Sequence, residues 1–130
     1  MEDKFNEATP LRPEGDRLLN ANLVEMDLNK FMEQIRSEIT WKAGGHNSIT
    51  ILKTEHLRIV LIGLKTQSEL KTHTAPGQIS VQVLEGKIKF TADSQSVTLT
   101  KGQMISLKPR IPHSVLAEEE SFFLLTLAVG

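Results

Sequence analysis

KTHTAPGQISVQVLEGKIKF, residues 71–90, decides the reading of this chain. Ile79, Val81 and Val83 alternate with Ser80 and Gln82, and beyond Gly86 the residues Ile88 and Phe90 alternate with Lys87 and Lys89. A period of two places each apolar set on one face of a pleated strand, so the stretch predicts a hairpin with one buried side. Gly86 sits where the tight connection needs a backbone that a β-carbon resists. A single histidine, His73, stands just ahead of the hairpin.

Outward from this hairpin the same texture continues. SITILK (48–53) and LRIVLIGLK (57–65) flank Thr54-Glu55-His56, which reads as another hairpin. SVTLT, QMISLK, HSVLAE and SFFLLTLAV follow, with breaks at Asp93-Ser94, Lys101-Gly102, Pro109–Pro112 and Glu118–Glu120. About eight strands at this spacing predict a sandwich or small barrel. LRIVLIGL and FFLLTLAV are apolar on both faces and must be covered twice. Upstream, Leu28, Phe31, Met32, Ile35 and Ile39 fall at helical spacing behind Asp27, a good N-cap, and predict one amphipathic helix over 28–38 that covers part of that area. A second subunit is the natural cover for the remainder, so a homodimer is expected. Residues 1–22 read as a flexible N-terminal arm, leaving 23–130 as a single domain.

Composition narrows the function classes. The 130 residues carry a formal net charge of −1, which offers no electrostatic footprint for nucleic acid or an anionic membrane. No run approaches the length of a membrane span, and MEDKFNEATPLRPEGDR lacks the apolar core of a secretory signal. Zero cysteines exclude a disulfide framework, a thiolate nucleophile and a cysteine zinc site, and fit a cytoplasmic location.

The β region from about 47 to 128 resembles the cupin superfamily in its compact single-domain form. The resemblance implies an all-β fold: a cupin-type double-stranded β-helix, or jelly-roll barrel, of the RmlC-like kind, here with one N-terminal amphipathic helix. The first cupin signature maps onto His73, Ala75, Ile79 and Gly86, and the second onto Gly102, Lys108, Arg110 and His113, with its final position on Ala117. Pro109 and Pro112 stiffen the approach to His113 and withhold amides from the ladder. Cupins that hold iron, manganese, zinc or nickel use three histidines and a Glu or Gln. Two of those four positions, Ala75 and Ile79, carry no donor here. A stable site needs three or four protein ligands, so no cofactor is called for; a divalent metal, if bound, would use His73 and His113.

Neighbouring donors do not repair the set. Alternation sends Gln78 to the opposite face, His46 precedes the first strand of the β region, and His56 reads as a solvated loop residue between Glu55 and Arg58. Trp41 reads as core. The expected function is a non-catalytic cupin that binds a small molecule in the barrel through His73 and His113. Two alternatives stand beside it: a metal-dependent enzyme of the dioxygenase or isomerase class using the same histidines, and a packed-shut dimeric interaction protein whose interior Ile79, Val83, Phe90 and Leu107 fill. A metal-independent epimerase would want a carboxylate to orient its histidine, and none is near in sequence.

Overall fold

A computed structural model describes residues 4–6 and 17–129. In chain order the strands are β1 (Lys4–Asn6), β2 (Arg17–Asn20), β3 (His46–Lys53), β4 (Leu57–Leu64), β5 (Glu69–His73), β6 (Ile79–Glu85), β7 (Lys87–Ala92), β8 (Gln95–Thr100), β9 (Met104–Leu107), β10 (His113–Ala117) and β11 (Ser121–Ala128). Helices α1 (Leu28–Ser37) and α2 (Ile39–Ala43) lie between β2 and β3. A five-stranded sheet runs β3-β4-β11-β6-β9 and a four-stranded sheet β5-β10-β7-β8, with every pairing antiparallel. Sequence neighbours β6 and β7 lie in different sheets, as the crossing connections of a jelly roll require.

The alternation holds, since Ile79, Val81, Val83, Ile88 and Phe90 are all buried between the two sheets, but the expected hairpin does not form: at Gly86 the chain crosses from one sheet to the other, and β6 pairs with β9 and β11 while β7 pairs with β8 and β10. β4 and β11 are covered twice, as their two-sided apolar sequence demands. Ile62, Leu64 and Phe123 enter the barrel core, while Leu61 and Phe122 join Met32, Ile35 and Trp41 on the outer side. Burial at this level stabilises by about 1.5–3 kcal/mol for each large apolar side chain. The outer cover of β4 and β11 is therefore supplied within the chain by α1 and α2.

Three further local expectations change. The helical segment is two helices rather than one. Asp27 caps α1 by accepting from the Lys30 amide at 3.2 Å, but the backbone leaves the helix at Glu38, with φ −82° and ψ 150°. Asn47 of β3 fixes that break, donating from Nδ2 to Glu38 Oε1 at 2.9 Å and to the Ile35 carbonyl at 3.3 Å. The break turns Ile39 away from the stripe: it is 65% exposed, whereas Trp41 packs inward. The strand count also rises, because β1, β2 and β5 escape the alternation test. Only Leu70 of β5 packs into the barrel, which is too little pattern to read. Of the arm expected over 1–22, Lys4–Asn6 and Arg17–Asn20 pair as antiparallel strands, with Leu19 and Asn20 buried; residues 1–3 and 7–16 lie outside the described residues.

One end of the barrel is filled. Leu64, Val83, Ile88 and Ala117 have no exposed surface there. The opposite end, where β5 finishes and β10 begins, carries the site.

Candidate functional site

His73 closes β5 and His113 opens β10, and the two are direct register partners across the antiparallel ladder. Their rings meet edge to face, with centroids 4.3 Å apart and planes at 61°. His113 is 4% exposed and stacks on Phe90 at 5.6 Å, whereas His73 is exposed. Each ring is tethered to its own strand. His73 Nδ1 lies 2.7 Å from the Lys71 carbonyl, and His113 Nδ1 lies 2.9 Å from the Ile111 carbonyl. A carbonyl can only accept, so Nδ1 carries a proton in both rings. The sequence pairing of His73 with His113 is thus realised as two rings in contact, each anchored through Nδ1.

Beneath them the barrel is nearly full. A cavity of about 50 Å³ is lined by both histidines with Ile79, Val81, Phe90 and Leu125 among its walls. That volume holds a water or two and no organic ligand of ordinary size. Larger space lies at the rim: a cleft of about 330 Å³ against Thr72, Asp93, Ser94 and His113, and another of about 220 Å³ against Phe90, Asp93, Leu107 and Ile111. The rim turns are held in unusual backbone. Asp93 (φ 50°), Ser94 (φ 61°) and Arg110 (φ 64°) are non-glycine residues in the left-handed region. Asp93 and Ser94 form the two-residue turn between Ala92 and Gln95, where positive φ at both positions is the favoured hairpin geometry, so among the rim residues Arg110 alone holds that conformation outside a hairpin turn. The Arg110 amide donates to the Ala75 carbonyl at 2.8 Å, which ties the two rim loops together.

The donor set does not fit a resident divalent metal. Ile79 is buried and offers only carbon to the cavity, and Ala75 packs as an apolar neighbour of the core. Among the described residues no group of three or more His, Asp or Glu side chains converges in a metal-holding arrangement. Gln78 turns outward, as alternation requires, and donates from Nε2 to Ser106 Oγ at 2.8 Å. His46 pairs in register with Leu64 at the filled end, far from the mouth, and His56 is exposed in the β3–β4 turn. Two imidazoles without a third donor make a weak site.

Sequence reasoning placed both histidines but missed the strand that carries His73 and the stacking of His113 on Phe90. The second contact had a signal: Phe90 and His113 both fall on inward positions, and antiparallel pairing of β7 with β10 brings inward residues of the two strands together.

A family model described as a cupin domain matches residues 60–129. No curated protein matches the chain. Among solved structures, a conserved protein of unknown function from Streptococcus pyogenes is 28% identical with a TM-score of 0.62, over 65% of this chain and 75% of that one. An RmlC-like cupin from Shewanella frigidimarina is 20% identical with a TM-score of 0.63, over 67% of this chain and 78% of that one. Salicylate 1,2-dioxygenase from Pseudoaminobacter salicylatoxidans is 23% identical with a TM-score of 0.59, over 64% of this chain and 26% of that one. At these identities the latter two likenesses are likenesses of fold.

Proposed function

The chain belongs to the cupin domain family, and from that premise we propose that it is a non-catalytic cupin that binds a small molecule at the mouth of its barrel. The observation that carries this reading is the pair of register-matched histidines, each tethered through Nδ1 and both lining one cavity at the mouth. Rim clefts of 330 and 220 Å³ give a ligand room that the 50 Å³ interior does not, so the binding place is the mouth rather than the barrel core. A cytoplasmic setting belongs to the same proposal, supported by the cysteine-free composition, and cell fractionation tests it.

The test is a ligand-observed NMR screen read together with the imidazole resonances of the protein. Binders should shift the rings of His73 and His113, and the double variant H73A/H113A should lose binding at least about tenfold. Stability separates site from scaffold. Exposed His73→Ala should stay within about 0.5 kcal/mol of the parent, whereas buried His113→Ala should cost about 1–3 kcal/mol. Binders that leave both rings unmoved would instead favour the packed-shut interaction protein, the reading that the small interior supports. The metal-dependent enzyme is weighed by elemental analysis after purification without chelators. The expected content is below about 0.1 equivalents of metal per chain, and stoichiometric metal would reverse the order of the two readings.

A further inference from the structure

β5 and β10 fall out of step at the mouth. β10 advances from His113 to Val115 while β5 runs back from His73 to Leu70, so Lys71 and Thr72 together oppose Ser114. Such a bulge re-aims the side chains around it. His73 braces it, donating from Nδ1 to the Lys71 carbonyl at 2.7 Å. Thr72 lines the 330 Å³ cleft.

The rest of that cleft has the same chemistry. Val115 and Phe90 pack into the core, so alternation turns Ser114 and Thr91 to the outer side of the four-stranded sheet, where they are register partners. The turn after β7 adds the Asp93 carboxylate and the Ser94 hydroxyl. Three strands and a turn thus bring four hydroxyls and one carboxylate to one cleft. Thr91 shares a hydrogen bond with Ser96 at 2.9 Å, while no side-chain hydrogen bond or ion pair among the described residues engages Thr72, Asp93, Ser94 or Ser114. A carboxylate only accepts and a hydroxyl both donates and accepts, so the complement of this set is a ligand rich in hydroxyls.

Charge narrows the class further. Asp93 opposes an anion inside the cleft, and exposed Lys108 and Arg110, just ahead of Ile111 in its wall, oppose a cation. The 220 Å³ cleft shares Ala92, Asp93 and Ile111 with the first, so the two are contiguous, and its remaining walls are mainly apolar: Phe90, Val97, Ile105 and Leu107.

We propose that the two clefts form one site for a neutral amphiphile, with a sugar or polyol head in the hydroxyl-lined cleft and an apolar substituent in the other. Asp93, common to both, accepts from adjacent hydroxyls of the head. The inference rests on the mouth being the binding place and adds the chemistry of its ligand.

The full-length chain is titrated with methyl and phenyl glycosides of neutral hexoses, each beside the matching amino sugar and uronic acid, with affinity and the histidine ring resonances as readouts. Phenyl glycosides should bind at least about tenfold more tightly than methyl glycosides, and neutral heads more tightly than either charged one. Asp93→Asn, which suits the left-handed turn, should weaken binding at least about tenfold through loss of the charge-assisted contacts. Thr72→Val, which keeps the shape without the hydroxyl, should weaken it about two- to tenfold. An amino sugar that binds most tightly would make Asp93 a partner for cations and overturn the neutral class. Phenyl and methyl glycosides binding alike would detach the apolar cleft and overturn the amphiphile. If Asp93→Asn changes nothing, the cleft is a solvated sheet face and the inference is wrong. Other small molecules that move the His73 and His113 rings while no glycoside does would overturn the inference and leave the mouth reading standing. If no compound moves those rings, both fall.

Discussion

Gly86, at φ +89°, and Gly102, at φ +87°, adopt nearly the same backbone in different surroundings. A β-carbon at Gly86 would come within 2.3 Å of the Glu120 carbonyl oxygen and 2.7 Å of the Ser121 α-carbon, while one at Gly102 would meet nothing within 4 Å. Gly102→Ala should then cost only the backbone strain, about 1–2 kcal/mol, whereas Gly86→Ala adds a clash with main chain and should cost at least about 3 kcal/mol. Urea midpoints at unchanged slope measure both; equal losses would mean that the Glu120–Ser121 backbone yields freely. In sequence the two glycines read alike, since each stands between alternating runs, and what separates them is the return of a strand more than thirty residues later. The histidines divide along the same line. Their partnership follows from pattern, but the Nδ1 tethers depend on where the Lys71 and Ile111 carbonyls point, and the bulge that sets Thr72 against Ser114 depends on how β5 meets β10. Pattern reports which face a residue takes, and only the assembled fold reports what meets it.

Among the elements, the helices carry the clearest energetic claim. Ile35 is fully buried against the outer face of β3 and β4, in a cluster with Trp41, Ile49 and Leu61. Asp27, by contrast, caps α1 through a single exposed hydrogen bond. Ile35→Ala should cost about 2–5 kcal/mol by cavity formation, and Asp27→Ala about 0.5–1 kcal/mol. Chemical denaturation followed by tryptophan fluorescence reads both, because Trp41 sits in the same cluster and tilts against Phe122 at 5.5 Å. A loss below about 1 kcal/mol for Ile35→Ala would mean that the helices rest on the barrel without supporting it. The helical periodicity was legible up to Ser37. It failed at Ile39 because the break at Glu38 is imposed from β3 by Asn47, a tertiary contact that no helical spacing encodes. β5 was illegible for the opposite reason: a sheet-edge strand with one inward apolar residue satisfies its backbone through β10 and needs almost no sequence signal of its own.

At the scale of the molecule, α1 and α2 occupy the surface that first called for a second subunit, and the outer side of β6 and β9 beyond them carries polar Ser80, Gln82 and Ser106 with Met104 beside them. β8 and β9 are each one edge of their sheets, opposite the edges β5 and β3, and Val97 on β8 and Met104 on β9 are 38% and 54% exposed. Unpaired edges with apolar side chains invite association with another chain. We therefore propose that two copies of the chain pair through the seam of β8 and β9 and not through β4 and β11. Sedimentation velocity at micromolar to tens of micromolar chain should give the mass of two chains for the parent, and Val97→Glu with Met104→Glu should return it to the mass of one. Ile39→Glu, on the exposed side of α2, serves as the control and should leave the mass unchanged. A parent that sediments as one chain throughout that range removes the dimer altogether. A dimer that survives both seam substitutions moves the interface elsewhere. Val97 itself lines the 220 Å³ cleft, together with Phe90, Leu107 and Ile111. Pairing there would wall one side of the mouth, so ligand affinity should rise with chain concentration in the parent and stay flat in Met104→Glu alone, which leaves the cleft lining unchanged.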